Sequence, residues 1–364
     1  MPPTGRHRIL QIHPTRLCNL LCRHCYSESG PAERGAIDAQ VLSAAIADAA
    51  RLGYSTVAVS GGEPFLYAGL PAVLGTARAH GMTATITTNG TVLTERRVAQ
   101  VAGLVNLVAV SLDGIPASHN RMRGSPRAFE SMVARLDTLR RAQIPFGFIF
   151  TLTLHNVHEL AWVAEFARAE GARLLQIHPL EETGRAASTL VGSSPDAVEG
   201  GYAFLEATRL EEGGGDQLRI QLDLTNGIMV DHDPAAVMGL DSTDDGDAPF
   251  ADLVSPLVIE ADGTAVPLTY GFPRAFALGD IHAHPLHVLA ARWREEHYPS
   301  FRRVCRAVYQ RLVSRKRAAM VNWYEMVAKA AARQAGPGRR ARGSRRIRRG
   351  AGRPPSMRPA RARS

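Results

Sequence analysis

The sequence predicts an α/β fold: a parallel sheet whose strands are each followed by a helix, then a small C-terminal α+β module, then a disordered basic tail. Three observations carry this. From residue 8 to about 180, short apolar runs alternate with amphipathic stretches, the pattern of strand–helix units that builds a parallel sheet. After about 190 the alternation weakens and loop-forming residues multiply. From 336 to 364 the chain is mostly Arg, Gly, Pro and Ala, too poor in large apolar side chains to offset the entropy of folding. The organisation expected is a core over 1–190, a second module over 191–335 and a tail over 336–364.

Taken in order, residues 8–13 read as the first strand. Residues 38–52 are Ala-rich and amphipathic, with Asp38 placed to cap a helix. Strand 56–60 ends in Gly61-Gly62, and a helix follows around 69–80. Strand 83–87 leads to a helix near 94–102. Strand 107–112 leads to a helix over 126–141, where Pro126 suits a first turn. Strand 146–153, helix 157–169 and strand 174–178 complete six units. Beyond them, 191–195 and 211–216 read as loops, 218–224 as a strand and 241–247 as an acidic, solvated connection. Residues 257–268 read as a hairpin turning at Asp262-Gly263. Helical segments are expected up to about 312 and over 316–331.

A chain of 364 residues with 45% hydrophobic content can bury a substantial core. No stretch approaches the roughly 18 apolar residues of a membrane span, and residues 1–10 lack the apolar run of a signal peptide. Four cysteines in a chain this long do not suggest a disulfide framework, so a reducing, cytoplasmic setting is expected. The net charge of +9 is unevenly spread: 327–364 holds twelve Arg, one Lys and no acid, which leaves 1–326 at −4. Nucleic acid is therefore an expected partner only through the basic tail.

Cys18, Cys22 and Cys25 lie in the run Cys18-Asn-Leu-Leu-Cys22-Arg-His-Cys25. Three thiolates cannot close a structural zinc site alone, which takes four protein ligands. They can hold three irons of a [4Fe–4S] cube and leave the fourth iron open, whereas ordinary ferredoxin clusters take four Cys. A zinc site completed by His13 or His24, and a set of plain core thiols, are the other readings of these residues.

The C-x3-C-x2-C spacing resembles the signature of the radical S-adenosylmethionine (SAM) superfamily. Gly61-Gly62-Glu63-Pro64 at the end of strand two resembles that family's GGEP motif. Thr88-Asn89-Gly90 and Ser111-Leu112-Asp113-Gly114, ending strands three and four, look like its TNG and S-[LI]-D-G segments. His119 and Arg123 resemble its H-D-x-x-R-G, with Asn120 at the second position. The resemblance implies a partial (β/α)6 barrel with its site at the C-terminal ends of the strands. It implies a [4Fe–4S] cluster on Cys18, Cys22 and Cys25, with SAM chelated by the open iron. One electron, from a donor such as a flavodoxin or ferredoxin, would cleave the sulfonium to a 5′-deoxyadenosyl radical that takes hydrogen from substrate.

By the same resemblance, SAM contacts are expected from Gly61, Gly62, Glu63, Pro64, Asn89, Ser111, Asp113, Arg123, His24 and Tyr26. The glycines would let the backbone approach the ligand. Glu63 would face the amino group, Arg123 the carboxylate, and His24 and Tyr26 the adenine. Capping roles for Asn89 and Ser111, substrate orientation for Asp113 and a solvated loop position for Arg123 remain open readings. Gln176 and His178 lie on strand six near the family's adenine contacts; a packed core His is the other reading of His178.

Residues 257–281 resemble a SPASM or twitch module, with Leu268 where that module has a Cys and only Cys305 beyond it. A degenerate module without its second cluster is expected, and Cys305 reads as a plain helical cysteine. The substrate expected is a peptide or protein side chain. A small molecule such as a tetrapyrrole is the alternative, recognised by a basic pocket for which Arg121, Arg123, Arg185 and Arg274 are candidates. A non-catalytic iron–sulfur scaffold with a nucleic-acid-binding tail is the third reading.

Overall fold

The computed structural model describes residues 8–213, 217–237, 248–314 and 318–335. The expected acidic connection at 241–247 and the tail over 336–364 lie outside the described residues, as do parts of the 211–216 loop and of the 316–331 helix.

The first half runs β1 (Ile9–Ile12), α1 (Ala39–Arg51), β2 (Thr56–Val59), α2 (Leu70–Ala79), β3 (Thr83–Thr88), α3 (Glu95–Ala99) and β4 (Leu107–Ser111). Then come α4 (Pro116–Arg123), α5 (Ala128–Arg141), β5 (Phe146–Leu152), α6 (Leu160–Ala169), β6 (Leu174–Pro179), α7 (Ala186–Thr189) and α8 (Ala197–Glu212). The remainder is β7 (Arg219–Leu222), α9 (Gly227–His232), α10 (Phe250–Leu253), β8 (Leu257–Ile259), β9 (Thr264–Pro267) and β10 (Gly279–Asp280). The C-terminal helices are α11 (Leu286–Glu296), α12 (Tyr298–Ser314) and α13 (Trp323–Gln334).

One ten-stranded sheet has the order β10-β9-β8-β1-β2-β3-β4-β5-β6-β7. Strands β1 to β7 are parallel neighbours in chain order, and β8 pairs parallel with β1. The α/β fold class expected from the sequence holds, as a mostly parallel sheet that is not closed into a barrel. The sheet runs through the expected boundary at 190: β7 extends one edge and the β8–β9 hairpin the other.

This strand order decides where a site can be. Parallel crossovers are right-handed, so strands laid down in one direction put all their helices on one face. That face is apolar: Leu10, Val57, Ile86, Val110, Phe148 and Ile177 are 0% exposed. The register aligns Ser111 with Ile149, Ile149 with Gln176, and Thr151 with His178 on the opposite face. There Gln11, Thr85, Thr87, Thr151, Gln176 and His178 are only half-buried. A polar face free of crossover helices, with loops at the C-terminal strand ends, is the place for a ligand.

Local sequence explains most elements. Asp38 caps α1, its carboxylate accepting from Gln40 N. Asp262-Gly263 makes the β8–β9 turn, with Gly263 at φ 85°. Five helices, α4, α7, α8, α9 and α10, went unread, and two of them carry a local signal. Residues 116–123 form α4, with Pro116 in the first turn and Gly124 left-handed at the C-cap (φ 65°). The pair Asp196 and Glu199 marks the start of α8. Conversely, α5 begins two residues after Pro126, so Pro126 lies before the helix and not in its first turn. Among the described residues no helix is long and apolar enough to cross a membrane.

Candidate active site

The Cys loop leaves the C-terminal end of β1 and folds over the end of β2. Gly62 N donates to Thr15 O (2.8 Å) and Glu63 N to Leu17 O (2.9 Å). A Cβ on Gly62 would lie 2.1 Å from Leu17 O, and one on Gly61, whose φ is 113°, 2.8 Å from Thr15 O. The glycines thus admit the backbone of the Cys loop itself, a partner that sequence reasoning did not name.

Glu63 is completely buried. It accepts from Thr88 Oγ1 (2.7 Å) and Phe65 N (3.2 Å) on one oxygen and from Asn89 N (2.9 Å) on the other. Burial raises its pKa, against the pull of those bonds. Its carboxylate therefore latches the β2 loop to the β3 loop, and Pro64 starts the short 3-10 turn behind it. Asn89, so held, accepts from Thr91 N (2.9 Å) and points its amide at Asn19 Oδ1 (3.0 Å) and Cys18 Sγ (3.8 Å).

Each of the three thiols has hydrogen-bond donors aimed at sulfur. Leu20 N lies 3.5 Å from Cys18 Sγ, Arg123 Nη1 3.8 Å from Cys22 Sγ, and Ser29 N 3.3 Å from Cys25 Sγ. Such donors stabilise thiolate and metal-bound sulfur. Burial pushes the Cys18 thiol up to about 12 and raises Cys22 despite the opposing Arg123 charge, so deprotonation has to be driven by a bound cation. Among the described residues no three His, Cys, Asp or Glu side chains converge on one ion-sized point. Three thiols on one loop, with Cys22 and Cys25 near enough to raise the Cys18 pKa, fit a cubane, in which each sulfur takes a different iron.

Arg123 and Asp113 form a buried pair beneath Cys22, with Nε 2.7 Å from Oδ2. Burial would raise the Asp113 pKa, but Arg123, His24 and His119 outweigh it and hold the carboxyl at about 2. Asp113 N–H donates to His119 Nδ1 (3.2 Å), which places the His119 proton on Nε2. Burial keeps both His119 and His24 neutral, near pKa 4. Arg123 lies on α4 and is spent on Asp113 and Cys22, so it is not a solvated loop residue. Glu159 accepts from Ile115 N (2.9 Å) and Ser118 Oγ (2.6 Å), and Asn156 donates to Asp113 O (3.1 Å). These two supports of the β4 loop went unread in the sequence, because they come from the turn after β5.

Ser111 ends β4 on the polar face, 5% exposed. Tyr26, next to Cys25, has its hydroxyl 3.1 Å from Ser60 Oγ and packs edge-on to His13 and Tyr270. Cys305 is buried on α12, away from the other three. The structure therefore brings Cys18, Cys22, Cys25, Gly61 to Pro64, Asn89, Asp113, Arg123, His24 and Tyr26 around one loop.

Comparison with known proteins defines the class. Residues 12–167 match the model of the radical SAM superfamily, so that segment is a radical SAM domain, of a family whose enzymes use a [4Fe–4S] cluster and SAM. It is 33% identical over 207 residues to Fe-coproporphyrin III synthase of Methanosarcina barkeri, covering 55% of this chain and 51% of that one. It is 30% identical over 187 residues to the mycofactocin maturase MftC of Mycobacterium ulcerans, covering 51% and 50%. The chain spans about half the length of the curated relatives it matches. In fold it resembles SuiB of Streptococcus suis, solved with SAM bound, at TM-score 0.64 and 16% identity over 81% of this chain and 67% of that one.

Proposed function

We propose that this chain holds one [4Fe–4S] cluster on Cys18, Cys22 and Cys25, binds SAM beside it, and modifies a peptide or protein side chain. The observation that carries the reading is the set of three thiols on one loop, Cys18 and Cys22 buried and Cys25 partly so, each with a donor on its sulfur, at the mouth of a polar sheet face. When bound, the cluster and SAM supply one-electron cleavage of the sulfonium and a radical that takes hydrogen from substrate. The chain's own residues shape the cavity. Glu63 and Asn89 fix the β2 and β3 loops, Arg123 offsets negative charge at Cys22, and Ser111, Thr151 and Gln176 line the polar face. His24 and Tyr26 border the space on the Cys-loop side. The residues from 257 to 281 are a SPASM-like module in this reading, with Leu268 in place of a ligand.

The peptide reading is supported by where the arginines are. Arg123 is spent on Asp113, Arg185 on Cys22 O (2.6 Å) and Ser29 O (2.8 Å), and Arg274 on Glu260 and Asp262. Arg121 borders an open cavity, of about 250 Å³, with Arg23 and His155. A tetrapyrrole carries several carboxylates and calls for more cations than that. Likeness to Fe-coproporphyrin III synthase favours the tetrapyrrole as the second reading.

The test is anaerobic reconstitution, with dithionite and SAM, beside Cys22→Ala. About four irons per chain and cluster-dependent 5′-deoxyadenosine are expected, with the variant deficient in both. A chain that takes up no iron would sink the proposal. Faster 5′-deoxyadenosine formation on adding Fe-coproporphyrin III, and not on adding peptides, would move the substrate to the second reading.

A further inference from the structure

A cavity of about 250 Å³ lies between α4, the turn after β5 and the end of α7. Met122 and Leu190 are buried in its wall, where with Leu180 and Ala186 they form a small apolar group separate from the main core. Arg23, half-buried, and Arg121 and His155, both exposed, stand around its mouth. Helix geometry sets the cavity apart from the cysteine sulfurs. Ser118, Arg121 and Met122, three and four residues apart, share one face of α4. His119 and Arg123, four apart, face Asp113 and Cys22 instead. Arg23 N donates to Met122 O (2.9 Å), which ties the Cys loop to the cavity wall.

The two arginines have donors to spare. Arg23 Nη2 donates to Thr189 O (2.9 Å) and Arg121 Nη2 to Ser118 Oγ (3.2 Å), whereas a guanidinium carries five N–H groups. Among the described residues neither is paired with a carboxylate, as Arg8, Arg51, Arg123, Arg140 and Arg274 are. The neutral groups of the wall are occupied: Asn156 Oδ1 accepts from Thr153 N (2.7 Å) and Thr153 Oγ1 (2.9 Å), and its amide donates to Asp113 O and Thr151 O. The nearby carboxylate, Glu159, is buried behind Ser118, whose hydroxyl donates to it (2.6 Å).

We propose that this cavity is a substrate subsite for a carboxylate on a short apolar stem. Arg23 and Arg121 donate to the carboxylate, and Met122 and Leu190 pack against the stem. This rests on the radical SAM reading above and deepens it. Guanidinium and carboxylate make charge-assisted hydrogen bonds, about twice as strong as neutral ones, and the apolar wall gives the stem a surface to leave water for. Pockets that enclose a whole ligand run from about 300 to 1,000 Å³, so this smaller one takes a single group of a larger substrate. The group held here is an anchor. Because α4 stands between the cavity and Cys22, the hydrogen removed comes from another part of the same molecule.

The test uses cluster-reconstituted, SAM-saturated protein and N-acetylleucine as probe, titrated by ligand-observed NMR. Saturable binding is expected, weakened about tenfold in Arg121→Met and in Arg23→Met. N-acetylleucinamide, which has the same stem and no charge, should bind about tenfold more weakly to the unaltered protein; this arm does not depend on any variant folding. A second arm adds Fe-coproporphyrin III to tell the sources of the carboxylate apart. Displacement of N-acetylleucine that is lost in Arg121→Met supports the subsite with a propionate as its ligand; no displacement supports it with the carboxylate of a peptide. No saturable binding, equal affinity for acid and amide, unchanged affinity in both variants, or a tenfold loss of SAM affinity in them would overturn the proposal, the last by giving the arginines to SAM. A chain without cluster fails the earlier reading; a chain with cluster and SAM but no preference for the acid fails this one alone.

Discussion

Gly62 and Arg123 show how single side chains set the site. Gly62→Ala puts a methyl 2.1 Å from Leu17 O, a backbone atom that cannot turn away. We expect the Cys loop to shift, with iron content at least halved in reconstitution and a loss of about 1–3 kcal/mol in urea unfolding. Arg123→Met removes the partner of a completely buried carboxylate. Breaking a buried pair on one side costs about 3–5 kcal/mol, which chemical denaturation of the apoprotein would read. Arg123→Lys should recover only part of that loss, because an ammonium cannot reach both Asp113 and Cys22 as the guanidinium fork does.

Between elements, the α1–α11 contact is a separable test of pH dependence. Asp48 on α1 is buried and accepts from His287 N (3.1 Å), lies 2.9 Å from His287 Nδ1, and is paired with Arg51. Burial would raise its pKa, but the His287 and Arg51 bonds bring it below its ordinary value. A depressed carboxylate contributes stability above its unfolded pKa of about 3.9, and this is lost as pH falls through the folded value. We expect Asp48→Asn to be less stable than the parent at pH 6 and the gap to close below about pH 4, read as urea midpoints. The element scale is also where the sequence was least legible. Strands β1 to β6 and helix α1 were readable because apolar periodicity is local. Helix α4 was not, since Ser118, His119, Asn120, Arg121 and Arg123 leave it almost no apolar stripe. The motifs around Cys18, Gly61, Asn89 and Asp113 were visible as strand-end residues. The partners that give Glu63 and Gly62 their roles were not, because Asn89 and Leu17 are distant in sequence and only the fold brings them close.

As a whole molecule, the protein is organised by its single sheet. With β8 bonded to β1 and β7 to β6, the two parts expected from the sequence share one hydrogen-bonded surface and one continuous core. We expect one cooperative unfolding transition. Trp162 lies on α6, whereas Trp293 and Trp323 lie on α11 and α13. Single-Trp variants should therefore give coincident urea midpoints; a midpoint for Trp162 separated from the other two would show independent units.

The position of β1 has a consequence in time. Leu10 pairs with Val57 on one side and with Leu257 on the other. During synthesis at roughly 5–20 residues per second, the second neighbour leaves the ribosome about 10–50 s after β1 itself. Through that interval the strand that launches the Cys loop has one free edge, a template for pairing with a wrong chain. The last-made hairpin is what closes it, so a nascent chain stalled before residue 257 presents its cysteines on an unfinished sheet, and assembly of the metal centre and completion of the polypeptide become competing events.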